Sequence, residues 1–211
     1  MKKLFVVSLL LLLVAGQTTK AQEEKEFRFT IKTNPLAALG GPFWITIVPI
    51  TGEYKILFEA KTARKQSVEA GISYLGPSVL LNLNQIVSDS ANVSGLKTSG
   101  FRAQLAYKFF LTKESAPEGF YVGPHFSYAK AKLVSKDNPD NYFEVSRLNA
   151  DILLGYQLIT SGGFTLNIYT GLGLKKRDYN FNQDSEPIFD FKTGNEVTPN
   201  VPIGFTFGYA F

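Results

Sequence analysis

Cysteine is absent from the 211 residues, which rules out a disulfide framework and lipid attachment through a thiol. Histidine, tryptophan and methionine occur once each. A single histidine without cysteine leaves no ligand set of metal-binding spacing, and no cofactor is expected. Long apolar runs are also missing. The longest, Leu4 to Val14, contains Ser8 and falls short of the roughly 20 residues of a spanning helix. Charge of one sign is scarce as well. Setting aside Lys2, Lys3 and Lys20, the formal charge of +4 drops to +1, with 19 basic against 18 acidic residues. That balance gives no support to a charged, phosphate-seeking surface, and nucleic acid is not an expected partner.

What is present begins with Met1-Lys2-Lys3, the apolar Leu4–Val14, and small or polar residues through Ala15, Gly16, Thr19 and Ala21. This order predicts a secretory signal peptide over residues 1–21, with cleavage after Ala21 or alternatively after Gly16. Residues 22–211 are then one exported domain.

The last eleven residues carry the fold. From Val201, every second residue is large and apolar: Val201, Ile203, Phe205, Phe207, Tyr209 and Phe211. Between them stand Pro202, Gly204, Thr206, Gly208 and Ala210. Such alternation is a strand with one greasy face and one face of little bulk. The same pattern divides the chain into eight segments: Phe27–Ala38, Phe43–Phe58, Ser67–Leu75, Gly100–Leu111, Phe120–Leu133, Tyr142–Ile159, a seventh from Phe164 to at least Leu174, and Val201–Phe211. Leu80–Ile86, between the third and fourth, reads as a brief helix or a strand extension. Links after segments two, four and six are short. Those after three, five and seven are longer and polar, and the link after segment one is a short exception.

Polarity fixes the sides. Eight faces of Phe, Leu, Tyr and Ile overfill the narrow interior of an eight-stranded barrel, whereas Gly, Ser, Thr, Asn, Gln and a few ion pairs fit it. The expected fold is therefore all-β: an eight-stranded antiparallel up-and-down barrel with apolar residues outside, facing outer-membrane lipid.

Several segments resemble the small eight-stranded outer-membrane barrels of the OmpA/OmpX type, and exported barrels of Bacteroidota-type bacteria. They are Ile31-Lys32-Thr33-Asn34-Pro35-Leu36, Gly52-Glu53-Tyr54 and Glu118-Gly119-Phe120-Tyr121-Val122-Gly123-Pro124-His125. The ending Gly204-x-x-Phe207-x-Tyr209-x-Phe211 resembles the signal read by the barrel-assembly machinery. The resemblance implies fold and an outer-membrane location. It implies no activity.

Parity assigns Arg28, Lys32, Glu53, Lys55, Glu69, Arg102, Lys108, Arg147 and Asp151 to an interior charge network that braces and plugs the barrel. Phe43, Trp44, Tyr121, Tyr179, Phe181, Tyr209 and Phe211 are assigned to aromatic girdles at the lipid interfaces. The triplet His125-Phe126-Ser127 resembles the His-x-Ser of outer-membrane lipid A deacylases, with Glu144 as the carboxylate that would orient the histidine. Tyr128-Ala129 follows where that pattern has Asn, and parity turns His125 and Ser127 inward, so a packed interior histidine is preferred. Asp137-Asn138-Pro139-Asp140-Asn141 lacks the spacing of a calcium loop. The expected role is non-enzymatic: a monomeric envelope barrel acting through loops Gly76–Ser99, Lys136–Asn141 and Asn182–Pro199 on an unknown partner. The alternatives are a lipid-modifying membrane enzyme and a soluble lipocalin-like carrier.

Overall fold

Alternating sequence becomes a sheet that closes on itself. The computed structural model describes residues 26–39, 51–79, 96–136, 138–140, 142–181 and 197–211. The strands are β1 (Phe29–Thr33), β2 (Thr51–Ala63), β3 (Gln66–Pro77), β4 (Leu96–Phe110), β5 (Gly119–Ser135), β6 (Tyr142–Ile159), β7 (Phe164–Phe181), β8 (Val197–Asn200) and β9 (Ile203–Ala210). A 3-10 turn, Pro35–Leu39, follows β1. Each strand from β1 to β7 runs antiparallel to the next. Both β8 and β9 pair with β7, and β9 also pairs with β1. Together β8 and β9 form one eighth stave, parted at Val201-Pro202, where proline has no N–H for the ladder. The result is an all-β, closed, eight-staved up-and-down barrel.

The later segments and strands coincide closely, with β6 spanning Tyr142–Ile159 in both. Segment one, read as Phe27–Ala38, is a strand only over Phe29–Thr33 and turns into the 3-10 coil at Pro35, which has no N–H for a ladder. Residues 1–25, which hold the expected signal peptide, lie outside the described residues, as do 40–50, 80–95, 137, 141 and 182–196. With them goes much of the expected loops Gly76–Ser99, Lys136–Asn141 and Asn182–Pro199. The first half of segment two, Phe43 and Trp44 among it, and the ambiguous Leu80–Ile86 therefore fall outside as well.

Register sets the tilt. Facing residues lead from Thr30 through Glu59, Glu69, Ala106, His125, Asp151 and Gly173 to Asn200. The other neighbour of Thr30 is Ala210, on the same eighth stave as Asn200 but ten residues further along. A stagger of that size in eight strands inclines them by about 40° to the barrel axis.

Short connections gather at one end: Arg64–Lys65, residues 111–118, and the hairpin around Ser161-Gly162-Gly163. In that hairpin Gly163 adopts φ +89°, a conformation costly for any residue with a Cβ, and its N–H donates to Thr160 O at 2.8 Å.

Outside, the wall is greasy. Exposed residues include Phe29, Ile31, Tyr54, Ile56, Phe58, Ile72, Tyr74, Phe101, Leu105, Phe126, Tyr128, Leu148, Ile152, Leu154, Tyr156, Ile168, Leu172, Ile203, Tyr209 and Phe211. Inside are Thr30, Lys32, Glu53, Glu59, Ser67, Glu69, Arg102, Lys108, Ser127, Arg147, Asn149, Asp151, Gln157, Asn167 and Thr206, all buried. Apolar residues outside and polar residues within invert the usual globular pattern.

Candidate functional site: the barrel interior

Strand alternation turns every second side chain inward, and the tilt brings residues from non-adjacent staves to one level. Near the short-turn end four charges meet. Lys32 pairs with Glu59, and with Glu69 at 2.5 Å. Lys108 Nζ lies 2.7 Å from Glu69 Oε2 and 3.2 Å from Glu59 Oε2. Two cations and two anions cancel. Gln157 completes the layer: its Oε1 accepts from Lys32 Nζ at 2.8 Å, and its Nε2 donates to Glu59 Oε2 at 3.0 Å and to Pro117 O at 2.7 Å. The hydroxyls of Thr30 and Ser67 also donate to Glu59. Beside them Tyr121 donates to Asn167 Oδ1 at 2.9 Å, with Lys108 Nζ 4.8 Å from the tyrosine ring centre. Burying these charges is tolerable because every one of them is paired and hydrogen-bonded.

A second group lies toward the long-loop end. Glu53 accepts from Arg102 Nη1 at 2.8 and 3.1 Å and from Ser73 Oγ at 2.8 Å, and Lys55 Nζ stands 3.3 Å away. On the facing wall His125 Nδ1 lies 3.1 Å from Asp151 Oδ2, while Asn200 Nδ2 donates to Asp151 Oδ1 at 2.6 Å. Asn149 Nδ2 donates to Ser127 Oγ at 3.1 Å. Above these polar groups, Leu75, Ala129, Ala131, Leu133 and Val145 form an internal apolar patch with Phe143 and Tyr179 against it.

The structure thus places Lys32, Glu53, Lys55, Glu69, Arg102, Lys108, Arg147 and Asp151 on the inner wall, and it brings the first six into ion pairs. Arg28 is elsewhere. The N–H groups of Arg28 and Phe29 both donate to the single carbonyl of Phe211, at 3.1 and 3.0 Å. Two residues opposing one is a β-bulge, which shifts parity by one position. Arg28 therefore points outward, and Phe27 turns in against Ile159 and Ala210. Glu59, the hub of the inner quartet, is absent from the residues that parity assigns inside, because the alternation of segment two reads only as far as Phe58. Its inward parity, next after outward Phe58, is the signal that finds it.

Two aromatics assigned to girdles are inside the barrel: Tyr121, bonded to Asn167, and Tyr179, packed on the apolar patch. Tyr209 and Phe211 are exposed on the outer wall. For the His-x-Ser pattern, the carboxylate at His125 is Asp151, its facing residue on β6. Glu144 faces Lys132 on β5, about 23 Å along the strand from His125, and pairs with Lys130 at 2.9 Å. Ser127 is buried against Asn149. Gly204, Phe207 and Tyr209 lie on β9, the strand that closes the barrel between β7 and β1, and Phe211 follows it. Among the described residues, no group of three or more His, Cys, Asp or Glu side chains converges to hold a metal ion.

No protein-family model matches this chain, and neither a curated protein nor a solved structure matches it.

Proposed function

We propose that this chain is an outer-membrane barrel with a closed interior and no catalytic centre, acting in the envelope through the long loops at one end. The observation that carries this reading is a band of apolar residues with definite edges. On β5 the outward residues are apolar from Phe120 to Tyr128, then change to Lys130 and Lys132. On β6 the outward positions from Leu148 to Leu158 hold no polar side chain except the Tyr156 hydroxyl, and Ser146 and Glu144 lie beyond. On β7 they run from Phe164 to Leu174, with Thr170 the one polar exception, before Lys176 and Asp178. Each stretch is about 9–11 residues, the length a tilted strand needs to cross a bilayer. At about 40° tilt it stands roughly 25 Å tall, the height of an outer-membrane barrel's apolar band.

The quartet of Lys32, Glu59, Glu69 and Lys108 with Gln157 supports closure, since it fills the interior at one level. The ending with Gly204, Phe207, Tyr209 and Phe211 fits an assembly signal on the last-closing strand. An outward apolar wall and a charged interior disfavour a carrier with a greasy cavity.

The test is cell fractionation followed by electrophoresis of boiled and unboiled membranes, then planar-bilayer recording on the purified protein. Outer-membrane recovery, a heat-dependent mobility change and no steady conductance are expected. A soluble protein of unchanged mobility would sink the reading.

A further inference from the structure

Among the described residues, interior charges balance at the short-turn end but not at the other. Arg102, Arg147 and Arg177 lie on one hydrogen-bonded belt, with Arg102 facing Ala129, Ala129 facing Arg147, and Arg147 facing Arg177. Lys175 is two residues from Arg177 on the same face of β7; both charges repel Arg147, and Asp151, with Glu53 at Arg147, pulls the other way. Two carboxylates serve this level. Glu53 is occupied by Arg102 Nη1, Lys55 and Ser73. Asp151 is occupied by His125 and Asn200. No carboxylate among the described residues pairs with Arg147, Arg177 or Lys175.

The arginines are also short of acceptors. Arg102 and Arg147 are 7% and 8% exposed, yet among the described residues Nε and Nη2 of Arg102 and Nε of Arg147 have no hydrogen-bond partner. Buried guanidinium N–H groups without acceptors, next to another cation, are unfavourable on both counts. An oxyanion relieves both. Ala129, which faces both Arg102 and Arg147, brings no polar group of its own to them. Arg177 and Lys175 are only partly buried, so their charged ends reach the edge of this level.

We infer that the long-loop half of the barrel interior is a binding site for a small tetrahedral oxyanion of the phosphate type, held by Arg102, Arg147 and Arg177 with Lys175 at its entrance. Planar guanidinium forks match the oxygens of such an anion and provide charge-assisted bonds. The neutral quartet below forms the floor, so the barrel is a cup rather than a channel. This inference rests on the inner wall alone and does not require a lipid surround.

The experiment is calorimetric titration of the refolded mature chain, in a zwitterionic detergent and low chloride, with inorganic phosphate. Saturable binding of one phosphate per chain is expected, weakened about tenfold or more in Arg147→Gln. Arg64→Gln, at the short-turn end, leaves it unchanged. A heat-dependent mobility change verifies that each variant is folded, and Arg177→Gln replaces Arg147→Gln if the latter does not fold. No binding by the wild-type chain overturns the inference, as does equal binding by a folded arginine variant. A stabilising effect from phosphatidylglycerol vesicles but not from inorganic phosphate also overturns it, because the recognised phosphate would then be lipid-borne and on the outer wall.

Discussion

Gln157 and Glu59 come from opposite staves of the barrel, β6 and β2, and meet with Nε2 3.0 Å from Oε2. Three staves lie between them in either direction around an eight-staved ring, so the contact spans the interior. Glu59 also takes the charges of Lys32 and Lys108. Removing it leaves two buried cations to share Glu69. Glu59→Ala is therefore expected to destabilise the folded barrel by about 3–5 kcal/mol. Replacing Lys108 and Glu69 together by Met and Leu leaves the Lys32–Glu59 pair intact and is expected to cost much less than either single change. Urea midpoints of the refolded variants measure both. A double change that costs the sum of its two single changes would show that the quartet does not act as a coupled unit.

Most of the barrel was legible because the side of a strand is a local property. Alternation alone placed Lys32, Glu53, Glu69, Arg102, Lys108, Arg147 and Asp151 inside and the large apolar residues outside. The failures share a different cause. Arg28 and Phe27 changed sides because of a bulge made with Phe211, at the other end of the chain. Tyr179 reads as interfacial by residue type but sits inside by parity, and Tyr121 likewise. Partners were not legible. Whether Glu69 meets Lys32 or Glu144 meets His125 depends on the stagger of the closed sheet, which no single strand encodes.

Close backbone approach makes Gly123 a sharp probe of strand packing. A Cβ there would stand 1.7 Å from the carbonyl oxygen of Tyr107 on β4, and backbone cannot move aside as a flexible side chain can. Gly123→Ala is expected to push β4 and β5 apart and lower stability by about 1–3 kcal/mol. Gly162→Ala, where the nearest atom is the Thr160 hydroxyl at 4.0 Å, is the control and should unfold at nearly the wild-type urea concentration. Matching losses in the two variants would contradict the close β4–β5 contact.

At the short-turn end Lys61 pairs with Glu26 and holds its carboxyl below the ordinary value of 4.5. A folded-state value below the unfolded one stabilises the charged form. The contribution is thus present above the unfolded value and fades as pH falls through the folded one. Because Glu26 is well exposed, the effect on overall stability should be small and sensitive to salt. Carbon-13 NMR of the glutamate carboxyl groups should show Glu26 titrating low in the wild type and returning to the ordinary range in Lys61→Met. An unchanged midpoint would mean that the pair does not persist in solution.

The sidedness of the wall gives the most direct test of what surrounds it. Ile152 points outward within the apolar stretch of β6, and Asn149, three residues away, points inward. In lipid, an arginine at position 152 would sit inside the apolar band, where the cost near the midplane is about 2–4 kcal/mol and falls toward the edges. In water the same change exposes a charge and costs almost nothing. Ile152→Arg should therefore lower the urea midpoint strongly in phospholipid vesicles. A near-neutral effect in vesicles, with the variant folded, would remove the lipid surround and leave the apolar band to be covered by protein.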